Sequence, residues 1–178
     1  METTSQPHQG NGLGALVFFY GTIKSNEPNH HWLRNVENGH ARFLGKARTA
    51  TEWPLVVATK YNIPHLLDCK GTGKFIAGEL YEINDILLKK LDEIEGHPIF
   101  YERRLEQVEM TDCKISNNLG DNDSTIRTAW IYIFKNYTAE MLQFPLLEEY
   151  SSKDFKTMGN KVELLNSKIV KYSDLLLE

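Results

Sequence analysis

Two stretches of this 178-residue chain combine residue types and spacings that could do chemistry: Tyr20-Gly21-Thr22-Ile23, where an apolar run stops, and Glu95, where an amphipathic one ends. The first belongs to Leu16 to Lys24, LVFFYGTIK, in which Val17, Phe18, Phe19 and Tyr20 have the β-branched or aromatic character of a buried strand and Gly21 permits a sharp turn. A loop at a strand end can aim several backbone N–H groups at one point, which suits a small anion such as a carboxylate. A β-turn with no ligand is the competing reading, and only a match elsewhere in the chain can decide between them.

The second stretch is NDILLKKLDEIE, Asn84 to Glu95, which reads as a helix. Asn84 is a good N-cap, Asp85 complements the positive N-terminal end, and Gly96 can close the other end before Pro98. Leu87, Leu88, Leu91 and Ile94 form the apolar stripe. Glu95 stands four residues after Leu91 and seven after Leu88, so it continues that stripe, while Asp92 and Glu93 flank it on the wet side. An inward carboxylate at a helix end could take up a proton as a general base; a carboxylate ending its helix in solvent is the alternative.

Other suggestive residues carry less. His30 and His31 are adjacent, but neighbours on a helix point about 100° apart and no further His or Cys stands at a ligand spacing, so no metal site is expected. Lys70-Gly71-Thr72-Gly73-Lys74 resembles a phosphate loop, yet Asp68 stands where that loop needs glycine and Phe75 where it needs Ser or Thr, so a glycine turn into the next strand is expected. Glu79 falls on the same strand face as Phe75, Ala77, Tyr81 and Ile83, which marks it as paired, catalytic or at a sheet edge. Cys69 and Cys113 lie outside any CxxC and read as free thiols in a reducing compartment.

The elements that must position these residues follow from local pattern. Asn29 is expected to cap a short helix over His30-His31-Trp32-Leu33; Ala41 to Thr59 reads as strands broken at Trp53-Pro54, Pro64 to Asp68 as a short strand, and Phe75 to Ile83 as another. Tyr101 to Met110 and Thr125 to Phe134 alternate as strands joined by the polar TDCKISNNLGDNDS, an exposed hairpin tip. Trp130, Tyr132 and Phe134 share one face and Ile131 and Ile133 the other, so the later strand is expected to be central, with its aromatics serving the core.

Length fits one domain, and charge narrows the partners. Lys and Arg total 20 against 24 Asp and Glu, a net charge of −4, which provides no basic patch for nucleic acid or anionic lipid. No apolar run approaches the roughly 20 residues that span a bilayer, so no membrane association is expected. Residues 1–14 are polar, lack the apolar centre of a secretory signal, and read as a disordered lead in the cytoplasm. A domain over residues 15–150 and a C-terminal tail over 151–178, with apolar residues at helical spacing, complete the expected division.

Taken in order, LVFFYGTIK, PNHHWL (Pro28 to Leu33), WPLVV (Trp53 to Val57), NIPHLL (Asn62 to Leu67), GELY (Gly78 to Tyr81) and LDEIEGHPIFYER (Leu91 to Arg103) resemble the gamma-glutamylamine cyclotransferase branch of the gamma-glutamyl cyclotransferase-like superfamily. The resemblance covers about residues 15 to 135 and fades after Phe134, where the Tyr/Gly/Pro-rich pattern of the family's C-terminal segment is not clearly present. It implies an α+β fold, a small mixed β-barrel with flanking helices, and a cavity between the first loop and the Glu95 helix. It further implies that the loop matching Tyr20, Gly21, Thr22 and Ile23 binds substrate through its backbone, that Glu95 is the proton acceptor, and that no cofactor or metal is needed. The partner is then a small γ-glutamyl molecule. The reaction is attack of its α-amine on its own γ-carbonyl, giving 5-oxoproline and a free amine such as that released from ε-(γ-glutamyl)lysine. A cyclotransferase for γ-glutamyl amino acids, a non-catalytic γ-glutamyl-binding module, and an interaction domain working through a surface helix or the tail are the alternatives, and oligomeric state is not legible.

Overall fold

The computed structural model describes residues 14–58, 61–112 and 125–154. The expected lead over residues 1–14, apart from Gly14, the hairpin tip over 113–124 with Cys113, and the tail from 155 onward lie outside the described residues. Strands β1 (Ala15–Phe19), β2 (Ala41–Thr49), β5 (Ala77–Ile83), β6 (Glu102–Met110) and β7 (Ile126–Ile133) close into a barrel in the order β1-β5-β2-β6-β7. All neighbouring pairs are antiparallel except the closing one, in which β7 runs parallel to β1 with Val17 opposite Trp130. Strands β3 (Leu55–Val57) and β4 (Pro64–Leu66) form a separate small ladder, tied to the barrel through a bridge between Leu67 and Phe134. This is the α+β mixed barrel that the resemblance implied.

Side-chain alternation explains how the barrel is covered on both faces. Val17 and Phe19 of β1 join Tyr132 and Phe134 in one buried cluster, whereas Phe18 of β1 joins Ile131 and Ile133 in another. β7 is therefore a central strand, as its two apolar faces foretold. The barrel bends where the register between β2 and β5 shifts between Phe43 and Gly45, a bulge that lets Leu44 drop out of the ladder. The Trp53-Pro54 break and the glycine turn through Gly71 and Gly73, both at positive φ, fall where the sequence put them, although β5 starts at Ala77 and not at Phe75.

Helix α1 is only His31–Arg34, and α2 spans Asp85–Glu95. Asn29 does not cap α1. His30 holds the N-cap position without a side-chain bond, while Asn29 turns back to the first loop, its N–H donating to Thr22 O at 2.9 Å and its amide to Thr22 Oγ1 at 3.0 Å. One turn of helix offers little to cap, and the loop offers two acceptors.

α2 follows its sequence signals closely. The Asn84 Oδ1 accepts from Leu87 N at 3.1 Å, Gly96 takes the left-handed conformation at φ 66°, and Leu87, Leu91, Ile94 and Glu95 are buried. The same Asn84 oxygen also accepts from His40 N at 3.1 Å, so it joins the helix to the start of β2. Replacing Asn84 by Ala leaves two N–H groups without an acceptor in a site that is 3% exposed, and about 1–3 kcal/mol of stability should be lost. Urea denaturation checks this: the midpoint should fall in Asn84→Ala and largely return in Asn84→Asp, and an unchanged midpoint would contradict the double capping role.

Candidate active site

β1 ends at Phe19, and the chain then runs through Tyr20, Gly21, Thr22 and Ile23 as an irregular loop that is nonetheless mostly buried, with Tyr20 7%, Thr22 4% and Ile23 4% exposed. Three carbonyls of this loop are engaged. Gly21 O accepts from Lys24 N, Thr22 O from Asn29 N, and Ile23 O contacts His30 Nδ1 at 3.0 Å. The N–H groups of Gly21, Thr22 and Ile23 make no hydrogen bond to an acceptor among the described residues. Backbone donors left open in a buried loop need a partner, and an anion is the natural one.

Gly21 is needed here for space, and not for an unusual φ: a Cβ on it would stand 2.9 Å from Pro64 Cγ of β4. Facing the loop is Glu95, the last residue of α2, which is 5% exposed. Gly96 ends the helix immediately behind it, its N–H reaching Asp92 O and Glu93 O. Of the two positions open to Glu95 from sequence, the structure takes the inward one. Tyr20, Gly21, Thr22, Ile23 and Glu95 all line one cavity, together with Phe18, Phe19, Ile63, Pro64 and Tyr132. Its volume is about 30 Å³, enough to admit water.

Two phenols frame the carboxylate. Tyr20 Oη donates to the Tyr132 carbonyl at 2.7 Å, and Tyr132 Oη donates to Asp92 Oδ1 at 2.8 Å. Burial pushes the Tyr20 hydroxyl well above the ordinary tyrosine range and the charge of Glu95 adds to this, against an opposing hydrogen bond from the Leu66 backbone. Tyr132 is raised mainly by burial, then by its bond to Asp92, with Asp92 and Glu95 charges contributing. Both remain neutral at physiological pH. Among the described residues lining the cavity, Glu95 is the sole charged side chain and no Lys, Arg or His is present.

The other candidates stand elsewhere. Glu79 accepts from Ser25 N at 2.8 Å and Tyr81 Oη at 3.0 Å, and burial, with Glu79 adding to it, pushes the Tyr81 phenol up to about 12, so Glu79 is the paired carboxylate and lies outside this cavity. His30 and His31 turn to separate carbonyls, Ile23 O and Pro28 O, and the described residues contain no cluster of three or more His, Cys, Asp or Glu that could hold a metal. Tyr132 was read from its alternation as core alone, and Asp92 as wet. The missing signal was the barrel closure, which swings Tyr132 to the end of α2.

A closed mixed barrel with one buried carboxylate facing an open-donor loop is the architecture of a small-molecule site. The sequence family described as gamma-glutamyl cyclotransferase, AIG2-like, matches residues 17–156. Gamma-glutamylaminecyclotransferase C of Danio rerio is 39% identical over 137 residues, 76% of this chain and 86% of its own, and the Homo sapiens gamma-glutamylaminecyclotransferase is 34% identical over 139 residues, 78% and 91%. The crystal structure of an AIG2-like protein from Mus musculus superimposes with a TM-score of 0.70 at 34% identity, covering 78% of this chain and 89% of that one. This chain belongs to the gamma-glutamyl cyclotransferase family.

The raised phenols set a direction for alkaline stability. A tyrosine whose folded pKa is raised contributes stability fully present below its unfolded pKa, about 10, and lost as pH rises beyond it, because the unfolded chain releases the proton first. The urea midpoint of the wild type should therefore fall between pH 10 and 11.5, and Tyr132→Phe should fall less steeply over the same range. Parallel slopes for the two proteins would show that Tyr132 is not held neutral by its surroundings.

Proposed function

We propose that this chain is a cofactor-independent cyclotransferase that converts γ-glutamylamines, ε-(γ-glutamyl)lysine among them, to 5-oxoproline and a free amine, with Glu95 as proton acceptor and the backbone of Tyr20 to Ile23 as substrate cradle. The observation that carries this is the juxtaposition of one buried carboxylate with three open backbone donors across a single cavity. The donors suit the α-carboxylate of a γ-glutamyl group, and the acid suits its α-ammonium. Family membership and relatives bearing that activity's name support the same reading.

The chemistry needs little more than these groups. The α-ammonium cannot attack until it loses a proton, which Glu95 accepts. The amine nitrogen then bonds to the γ-carbonyl carbon and gives up a second proton as the lactam N–H forms, the bond from that carbon to the leaving nitrogen breaks, and the two protons, relayed through Glu95, depart with the leaving amine as its ammonium. Nucleophile and electrophile belong to one molecule, so holding the substrate in an attack conformer could supply up to roughly 7–11 kcal/mol of the barrier.

The cavity's lining favours an amine leaving group. A γ-glutamyl amino acid places a second carboxylate beside the scissile nitrogen, and burying that charge where no Lys, Arg or His lines the wall would cost several kcal/mol. Arg104 is committed to Asp68 at 2.6 and 2.7 Å, and Arg103 is paired with Asp92 outside the lining. A leaving group on a plain methylene chain avoids the difficulty. A catalytic domain over residues 15–150, flanked by an N-terminal lead and a C-terminal tail, and action in the cytoplasm complete the proposal; among the described residues no helix is long and apolar enough to cross a membrane.

Purified protein offered ε-(γ-glutamyl)lysine, γ-glutamylalanine and glutathione in parallel, with 5-oxoproline followed by NMR, tests both parts. The isopeptide should be turned over fastest, and Glu95→Gln, nearly isosteric, should lose roughly 10²–10⁴-fold in turnover while remaining folded. Preference for γ-glutamylalanine would overturn the substrate assignment and keep the mechanism. Silence on all three would favour a binding module, and full activity in Glu95→Gln would remove the proton acceptor.

A further inference from the structure

We infer that Asp92 and Arg103 are positioning residues for Glu95: they hold the hydroxyl proton of Tyr132 away from the carboxylate that must act as base. The inference rests on the reading of Glu95 given above. Asp92 and Glu95 stand three residues apart on α2 and so share a face of the helix. Tyr132, from β7, reaches that face and lines the cavity with Glu95, and its hydroxyl therefore has two carboxylates one helical turn apart to choose between. It donates to Asp92, at 2.8 Å.

Arg103 forms an ion pair with Asp92 without a hydrogen bond of good geometry. Its Nε lies 3.1 Å from the same Asp92 Oδ1, its guanidinium sits 4.4 Å from the centre of the Trp130 ring, and its side chain is 16% exposed. Register makes this arrangement possible, because Arg103 of β6 is directly opposite Tyr132 of β7. The phenol of Tyr20, on the other side of the cavity, donates to the Tyr132 carbonyl. On the remaining neighbour, β4, the buried His65 turns its Nδ1 to Ile63 O at 2.8 Å.

The consequence for catalysis follows from how hydrogen bonds tune a carboxylate. A donor bonded to the ionised form stabilises it and makes it a weaker base. Were the Tyr132 proton given to Glu95, the base would lose strength in the step that requires it. Asp92 takes that proton instead, and the lone pairs of the Tyr132 oxygen remain on the cavity side as a second acceptor for the substrate ammonium. Neither Asp92 nor Arg103 lines the cavity, so both act through Tyr132.

The test reads the Glu95 carboxyl directly by ¹³C NMR titration, alongside kcat and KM for ε-(γ-glutamyl)lysine, in wild type, Asp92→Leu, Tyr132→Phe and the double variant. Asp92→Leu should shift the Glu95 titration midpoint down by about one pH unit, with kcat about tenfold lower and KM within about twofold. Adding Tyr132→Phe should restore part of that shift; the restored part belongs to the misdirected hydrogen bond and the remainder to the lost Asp92 charge. A midpoint unchanged in Asp92→Leu, or one that Tyr132→Phe leaves where it was, overturns the inference. Should Asp92→Leu not fold, Asp92→Asn, which removes the charge and keeps the shape, must show a smaller shift in the same direction, and no shift there overturns it equally. Because the titration needs no turnover, this result stands apart from the proposed reaction, which fails if wild type is inactive or Glu95→Gln is not impaired.

Discussion

The site depends on the one parallel contact in an otherwise antiparallel barrel. Parallel strands run the same way, so the loop that follows β1 and the last residues of β7 emerge at the same rim once Val17 stands opposite Trp130. Tyr20 and Tyr132 meet there, joined by the bond from the Tyr20 hydroxyl to the Tyr132 carbonyl. An antiparallel closure would send those two ends to opposite rims and leave Glu95 facing only one of them. α2 completes the rim because its apolar stripe, Leu87 and Leu91, packs into the cluster that holds Val17, Phe19 and Tyr132.

Near the Tyr20 to Ile23 loop, several buried polar groups are matched, although Arg103 Nε and Nη1 by the rim are buried without a hydrogen bond. Lys24, 5% exposed, donates Nζ to Tyr150 O at 2.8 Å and lies 3.6 Å from Glu149, while Glu27 accepts from Ser152 N at 3.1 Å and Tyr150 Oη donates to Asn62 O at 2.9 Å. The segment around Tyr150 is thereby strapped to the loop and to the residues before β4. A buried ammonium without such acceptors would be costly, so each contact fixes the loop as much as it satisfies a charge. Within that frame the three open N–H groups stand out as donors that the fold itself leaves unused.

Local signals carried a large part of this architecture. The stop at Gly21, the Asn84 cap and the Gly96 closure are properties of short stretches, and each was legible because period and capping chemistry are local, whereas the stripe offered Glu95 an inward position without deciding it against solvent. The two-faced character of β7 was legible for the same reason. What could not be read was which strand ends share a rim. That depends on the order and direction of strands far apart in sequence, and with it went Asp92, placed on the wet side by helical geometry alone. Asn29 shows a smaller version of the same effect, since a good capping residue went to tertiary acceptors on Thr22 instead. Gly21 was read as the glycine of a sharp turn, whereas the constraint seen on it is the close approach of Pro64 from a different strand.

The central claim is that the Tyr20 to Ile23 backbone and Glu95 hold the two ends of one γ-glutamyl group. A crystal structure of the wild-type protein with 5-oxoproline bound tests it most directly. The account predicts the ligand's carboxylate within about 3 Å of the N–H groups of Gly21, Thr22 and Ile23, with its ring nitrogen turned to Glu95. Ligand seated elsewhere, as in the groove walled by Phe43 and Tyr81, with the loop donors still open, would contradict it.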